Sequence, residues 1–362
     1  MAESLDELAQ LVNTAGAQVV GRVSQRMEHP NPRYYIGQGK LEEVKALRAE
    51  SDANLVVFDD ELSPTQQRSL EDALDVRVID RTALILDVFA KRARTREGRL
   101  QVELAQHQYL LPRLAGLWRH LERLGAGIGT RGPGEQQLET DRRLIDRRIQ
   151  RLKDELEAVR RHRAQYRRQR ARRGIPVVSL VGYTNTGKST LFNALTRSDV
   201  FVEDKLFATL DPTTRRLRLP QGQNILLTDT VGFIQKLPTQ VVAAFRATLE
   251  ELEEADLLLH VVDIAHPQAA RQSETVEQVI ADLRLAEKPR LLVLNKIDLL
   301  IHDGNLDTDP IVEDWEKRHG AIGQPMALVS ATRGWGFDRL LEAISRQLAA
   351  APLGWVVPAG PG

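Results

Sequence analysis

The 362-residue chain has no cysteine, only three methionines, and an aromatic content of 5%. The missing thiols exclude a disulfide framework, a thiolate zinc site, an iron–sulfur cluster and a cysteine nucleophile. Long apolar runs are missing too. The longest, Leu257 to Ala265, is interrupted by His260 and Asp263 and is far too short to span a bilayer. The start, MAESLDELAQL, is acidic where a signal peptide would be basic, and no apolar segment follows it. A soluble protein of a reducing, cytoplasmic compartment is expected. Net charge is also lacking, with 50 Lys plus Arg against 50 Asp plus Glu, but that balance hides a local asymmetry.

Length alone predicts two or three domains at about 150 residues each. Residues 1–98 read as a small α/β domain. Strand patterns at Ala17–Ser24, Asn54–Asp60 and Val76–Asp80 alternate with helical patterns at Gly39–Glu50, Ser63–Leu74 and the segment TALILDVFAKR. Ser63 stands at an N-cap with proline in the first turn. Residues 99–173 break the pattern: a helical run ends at Pro112, a segment dense in glycine and arginine follows, and a second run extends from Gln136 to Arg173. Leu138, Leu144, Ile145, Ile149, Leu152, Leu156 and Val159 form its apolar stripe. An antiparallel helical hairpin with a glycine-rich tip is expected. Residues 174–350 alternate apolar strands with amphipathic helices, as a doubly wound α/β domain with a mainly parallel sheet does. Residues 351–362 form a Pro/Gly-rich tail.

Charge gathers on the second hairpin helix. From Arg142 to Arg173 there are fourteen Lys or Arg residues against four Asp or Glu. The apolar stripe fades after Val159 while RRHRAQYRRQRARR continues. A solvated helix face accounts for most charge runs, but an excess this large in a neutral chain points to a polyphosphate partner. Trp118 and Tyr166 are the few aromatics nearby, so phosphate contact is favoured over base stacking.

Gly182-Tyr183-Thr184-Asn185-Thr186-Gly187-Lys188-Ser189 fits G-x-x-x-x-G-K-[ST] and lies between an apolar strand and a helical run that includes Thr190. Its glycines let backbone N–H groups curl around an anion, Lys188 reaches the β- and γ-phosphates, and the Ser189 hydroxyl ligates Mg²⁺. Further elements follow in order. Asp229-Thr230-Val231-Gly232 offers a carboxylate to the Mg²⁺ shell and a glycine N–H to the γ-phosphate. Asn295-Lys296-Ile297-Asp298 ends in a carboxylate that can accept from guanine N1–H and its 2-amino group, donors that adenine lacks. Ser330-Ala331-Thr332 fits the loop that meets the guanine O6. The set predicts a GTP/GDP pocket.

Between these elements lies LFATLDPTTR, where a threonine should ligate Mg²⁺ and close on the γ-phosphate. Thr209 is the first choice; Thr213 and Thr214 compete with it. Phe233 follows Gly232 where a water-positioning glutamine could stand, so intrinsic hydrolysis should be slow. Asn185 could hold K⁺ beside the phosphates in place of an arginine finger; Arg215 and Arg216 are other sources of positive charge.

With these residues in view, the chain resembles the HflX-type GTPases, relatives of the Obg-like translation-factor GTPases. The resemblance runs through YYIGQGKLEEVKAL, VVFDDELSPTQQRSLE, RVIDRTALILDVFAKRARTREGRLQVELAQHQYLLPRL and GIGTRGPGEQQLETDRRLI, then GYTNTGKSTLFNALT, LFATLDPTTR, DTVGFIQKLP and NKIDLL. It implies binding to the large ribosomal subunit and whole ribosomes, and a part in splitting or rescuing stalled ribosomes under stress. It places the tip around Gly125 to Gly134 and the basic helix near the peptidyl-transferase region. Some members also bind ATP through the N-terminal domain, but no phosphate loop is visible there. Many bacterial members carry a further small C-terminal domain; nothing matching it follows Ala351, so its contacts do not carry over.

Two readings follow. In one, a monomeric GTPase switch has its slow hydrolysis timed by the ribosome. In the other, a nucleotide-regulated RNA-binding or assembly factor hydrolyses GTP only incidentally. Attachment to an anionic membrane is weaker, because the apolar stripe of the basic helix is committed to its neighbour.

Overall fold

The structure, a computed structural model, describes residues 2–117, 133–171, 174–198, 206–207, 209–236, 252–301 and 325–350. The chain divides into two units, Met1–Ala164 with Lys236–Arg246, and Gln165–Gln235 with Ala247–Gly362. The expected hairpin tip lies almost wholly outside the described residues, as do the tail and the side chains beyond His162 on the basic helix.

In the first unit, α1 (Ala2–Thr14) precedes α2 (Gln38–Ser51), β1 (Leu55–Phe58), α3 (Pro64–Leu74), β2 (Arg77–Asp80), α4 (Arg81–Arg92) and α5 (Arg96–Leu117). β1 and β2 pair in parallel, Leu55 with Arg77 through Phe58 with Asp80. α3 begins as the sequence predicts. Ser63 accepts from the Gln66 N–H while the Gln66 side chain accepts from the Ser63 N–H, a reciprocal capping box with Pro64 in the first turn.

Two expectations fail here. Ala17–Ser24 alternates but forms no strand. Val20 is 54% exposed, and Gly21 lies so close to α2 that a Cβ would meet Leu47 at 2.7 Å. The segment runs close to α2 and joins no strand ladder among the described residues. Nor does Pro112 end its helix, which runs on to Leu117. A proline removes one backbone hydrogen bond, and anchoring of the next residue offsets that loss. Arg113 is buried, donates to Leu62 O at 2.8 Å and Asp80 at 3.1 Å, and stacks on the Tyr109 ring at 3.5 Å.

Asp80 is the hub of this unit. Fully buried at the end of β2, it caps α4 through the Ala83 N–H and also accepts from the Leu62 N–H and the Tyr109 hydroxyl. Burial and the Asp80 carboxylate push the Tyr109 phenol well above its ordinary pKa. Beside it, buried Arg81 bridges Glu7 at 2.7 Å and Asp59 at 3.1 Å, tying α1 to the end of β1.

The helical hairpin is present. α6 (Pro133–Ala171) packs Ile149, Leu152 and Leu156 against Leu100 and Leu104 of α5. Arg96 pairs with Glu155 at 3.5 Å and Glu103 with Arg148 at 2.6 Å, so the two helices run antiparallel.

The second unit carries a six-stranded sheet in the order β4-β5-β3-β6-β7-β8. Its strands are β3 (Val177–Gly182), β4 (Thr213–Arg218), β5 (Asn224–Asp229), β6 (Leu257–Asp263), β7 (Arg290–Asn295) and β8 (Met326–Leu328). All neighbours are parallel except β4, an antiparallel edge on β5. α7 (Lys188–Thr196), α8 (Ala269–Asp282) and α9 (Phe337–Ala350) complete the doubly wound layers. β6 is buried at every position, as a central strand of a parallel sheet must be. Its neighbour β3 has β5 on one side and β6 on the other, which opens a crevice at the carboxyl end of β3.

Replacing Asp80 with alanine should strand the buried Arg113 guanidinium without its carboxylate. A loss of about 3–5 kcal/mol is expected, read as a lowered urea midpoint for the first unit. A loss below about 1 kcal/mol would show the hub to be dispensable.

Candidate functional site

The carboxyl ends of β3, β5, β6 and β7 and the turn after β8 gather nearly every residue singled out from the sequence. Gly182 closes β3 with φ at 153°, and a Cβ there would strike Val261 O at 2.3 Å. Gly187 caps α7 with φ at 88°, and a Cβ there would meet Asn295 Nδ2 at 2.4 Å. Only glycine fits either position. Thr186 folds the loop by donating to Tyr183 O at 3.0 Å. Lys188 is buried at the start of α7 and donates to Tyr183 O at 2.6 Å and Gly182 O at 3.1 Å. Burial lowers its ammonium to about 8 although Asp229 opposes that shift. An ammonium held this dry interacts strongly with an arriving phosphate.

Three oxygens converge beside it. Ser189 Oγ lies 2.7 Å from Asp229 Oδ2 and 2.7 Å from Thr209 Oγ1, and Thr209 Oγ1 lies 3.0 Å from the same carboxylate oxygen. Burial pushes the Asp229 carboxyl up, against hydrogen bonds from Ser189 and Thr209 and the charge of Lys188. Its other oxygen, Oδ1, is buried without a hydrogen-bond partner. Two hydroxyls, one carboxylate and an unsatisfied buried acceptor fit a hard divalent cation such as Mg²⁺. Among the described residues no three His, Cys, Asp or Glu side chains group as metal ligands. The hydroxyls therefore decide the site.

β4 sets the three threonines apart. Thr213 and Thr214 are rungs of that strand, opposite Asp229 and Thr228, and Thr214 Oγ1 is engaged with Thr228 Oγ1 at 2.9 Å. Thr209 alone of the three has its hydroxyl on the Asp229 carboxylate among the described contacts. Arg215 and Arg216 lie exposed further along β4, opposite Leu227 and Leu226, away from the strand end that carries Asp229.

Gly232 lies against the phosphate loop, where a Cβ would meet Thr184 Cα at 2.7 Å and Lys188 Nζ at 3.0 Å. Thr230 and Val231 are buried behind it. Phe233 is 3% exposed and bridges to Tyr183, its N–H donating to Gly182 O at 3.0 Å and its carbonyl accepting from Thr184 N–H at 2.7 Å. A buried hydrocarbon ring cannot hold a water.

Asn295 has a role that its motif alone does not reveal. It is 1% exposed; its amide donates to Thr186 O at 2.8 Å and its carbonyl accepts from Ala331 N–H at 3.0 Å. It stitches the phosphate loop to the turn after β8. Lys296 donates to Asn185 O at 3.0 Å and pairs with Asp263 at 2.7 Å. Asp263 was not picked out from the sequence as a site residue; its position at the end of an apolar strand was the available signal. Ser330 is fully buried and accepts from the Arg333 N–H. Thr332 reaches the partly exposed Asp298 at 3.5 Å, at the loose edge of the group. Thr190 is half-buried on α7 and Asn185 is exposed in the left-handed region at φ 62°.

Known GTPases resemble this chain along nearly its whole length. Family models match along the chain: a GTP-binding GTPase N-terminal model over residues 2–90, a GTP-binding GTPase middle-region model over 92–170 and a 50S ribosome-binding GTPase model over 177–296. The GTPase HflX of Caldanaerobacter subterraneus subsp. tengcongensis is 54% identical over 346 residues, covering 96% of this chain and 77% of that protein. The GTPase HflX of Escherichia coli K12 is 46% identical over 348 residues, covering 96% of this chain and 79% of that protein. Among solved structures, the SsGBP–GDP complex aligns with a TM-score of 0.51 at 27% identity, covering 96% of each chain.

Asn295→Asp should keep the bond from Ala331 but leave Thr186 O facing a second acceptor in a dry site. Affinity for GDP, measured by calorimetry, should fall at least about tenfold. Wild-type affinity would show that the stitch does not shape the loop.

Proposed function

The chain belongs to the HflX family of GTPases, and on that premise we propose that ribosomal RNA of the large subunit is the partner that times its hydrolysis of GTP. The protein binds guanine nucleotides and hydrolyses GTP. The observation that carries the reading is the meeting of Ser189, Thr209 and Asp229, which brings a switch threonine onto the metal-binding pair.

Each residue then has a definite task. Backbone N–H groups of Asn185 to Thr190 cradle the phosphates at the start of α7, and Lys188 delivers its buried charge to the β- and γ-oxygens. Ser189, Thr209 and Asp229 would hold Mg²⁺, whose charge would offset the negative charge of the phosphates. The Gly232 N–H donates to a γ-phosphate oxygen. Asp298 accepts from the guanine edge, with Lys296 and Ala331 framing the base. Phe233 supplies no proton acceptor for the attacking water, so the unaided rate is slow and an outside contribution is needed. The basic segment Arg142–Arg173 supplies the RNA contact: phosphate pairing requires cations, and the segment holds fourteen Lys or Arg residues. The third family description, a 50S ribosome-binding GTPase, supports the same partner. Splitting or rescue of stalled ribosomes is the cellular outcome this arrangement serves. Among the described residues no helix is long and apolar enough to cross a membrane.

With a non-hydrolysable GTP analogue the protein should pellet with large subunits, less so at 300 mM than at about 100 mM salt. GTP turnover should rise about tenfold or more on their addition. Binding to free RNA with no change in turnover would favour an assembly factor over a ribosome-timed switch. A monovalent cation beside Asn185 is the second proposal for the missing catalytic charge. Turnover should then be several-fold faster in K⁺ than in Na⁺, with Asn185→Ala erasing the difference; equal rates in both salts for the unaltered protein would remove the cation from the mechanism.

A further inference from the structure

The phosphate-loop motif leaves its second and third positions open, so nothing in the motif explains Tyr183 and Thr184. Both side chains are buried, at 4% and 6% exposure. A loop residue that merely spaces the glycines has no reason to be either buried or polar.

Their contacts run outward to the two segments that sense the γ-phosphate. The Thr184 hydroxyl accepts the backbone N–H of Phe207 at 2.9 Å, two residues before Thr209. Phe207 is 1% exposed and held at φ 56°, a conformation unfavourable for a bulky side chain. The Thr184 N–H donates to Phe233 O, one residue after Gly232, at 2.7 Å. The Tyr183 hydroxyl accepts the Gln235 N–H at 2.8 Å, so three bonds hold residues 233–235 when the Phe233–Gly182 bond is included. All of these lie in the second unit.

We propose that Tyr183 and Thr184 form a clamp in which two side chains of the phosphate loop fix Thr209 and Gly232 at the positions the γ-phosphate requires. They are positioning residues, acting through the segments they hold. The inference rests on the pocket described above and adds to it the determinant of preference for the triphosphate. GDP, lacking the γ-phosphate, draws little on either segment. GTP binds to both, and each restraint in place before binding lowers the ordering cost that binding must offset. Releasing the Phe207 N–H into a buried, partnerless state removes that advantage for GTP and leaves the cradle for the α- and β-phosphates largely in place.

The test uses the full chain with Mg²⁺, GDP, a non-hydrolysable GTP analogue and, for turnover, GTP. Thr184→Val keeps the shape and β-branching but loses the acceptor; Thr184→Ser restores it; Tyr183→Phe removes only the second hydroxyl. Thr184→Val should lower affinity for the analogue about tenfold, the scale of one buried N–H left unsatisfied, and GDP affinity less than threefold. Its kcat should fall with it, and hydrogen exchange should quicken at the Phe207 amide. Thr184→Ser should return all four readings to near wild type. Tyr183→Phe should shift the analogue-to-GDP ratio in the same direction, with faster exchange at Gln235. An unchanged ratio in Thr184→Val with GDP binding intact would overturn the clamp alone. Equal losses for both nucleotides that serine does not restore would reduce Thr184 to a packing residue. Failure of the unaltered protein to bind either nucleotide would instead overturn the pocket.

Discussion

A buried ammonium facing a buried carboxylate is the constraint on which this molecule depends. Lys188 opens the helix that follows β3 and Asp229 ends the adjacent strand β5; they are 5% and 0% exposed. Taking both charges out of water is costly, and their mutual attraction offsets that cost only with further hydrogen bonds. The rest of the second unit supplies those bonds. The tight loop brings two carbonyls to Lys188, and α7 brings Ser189 to Asp229. The segment after α7 brings Thr209. Glycine is required at positions 182 and 187 because any side chain would collide with the strands and the asparagine that hold this arrangement in place.

The first unit solves a similar problem without any of these motifs. Asp80 and Arg113 are a buried pair that unites the end of a strand, the start of a helix and a distant helix. Arg81 next door does the same between α1 and β1. A two-stranded sheet has little apolar area to bury, and directional polar contacts give it the specific arrangement that packing alone would leave loose.

The sequence was most readable where backbone geometry forces residue choice. The phosphate loop, the Asp229 and Asn295 elements and the apolar strands of the second unit all lie where the pattern puts them, as does the N-cap at Ser63. It was least readable where a contact comes from far along the chain. Ala17–Ser24 has the period of a strand but lies along a helix, and periodicity reports only which faces differ. Pro112 reads as a stop because the local cost is visible, whereas Asp80, thirty-three residues away and anchoring Arg113, is not. β4 was hidden because TTRRLR is polar; as an antiparallel edge it needs only one buried residue, Leu217. Asn295 reads as a base-contacting residue by its motif, and only coordinates reveal it as the link between two loops.

That overlooked edge strand has a consequence for Thr209. The rung joining Thr213 to Asp229 pins the downstream end of the threonine's segment four residues from its hydroxyl, on the same ladder that carries the carboxylate it meets. Thr209 is therefore tethered to its own target. Swinging away does not release it into bulk solution, because so short a tether keeps its local concentration near Asp229 high and makes each return entropically cheap. Opening of this segment is thus a hinged excursion about a fixed end, and its rate is set by the grip on the upstream side.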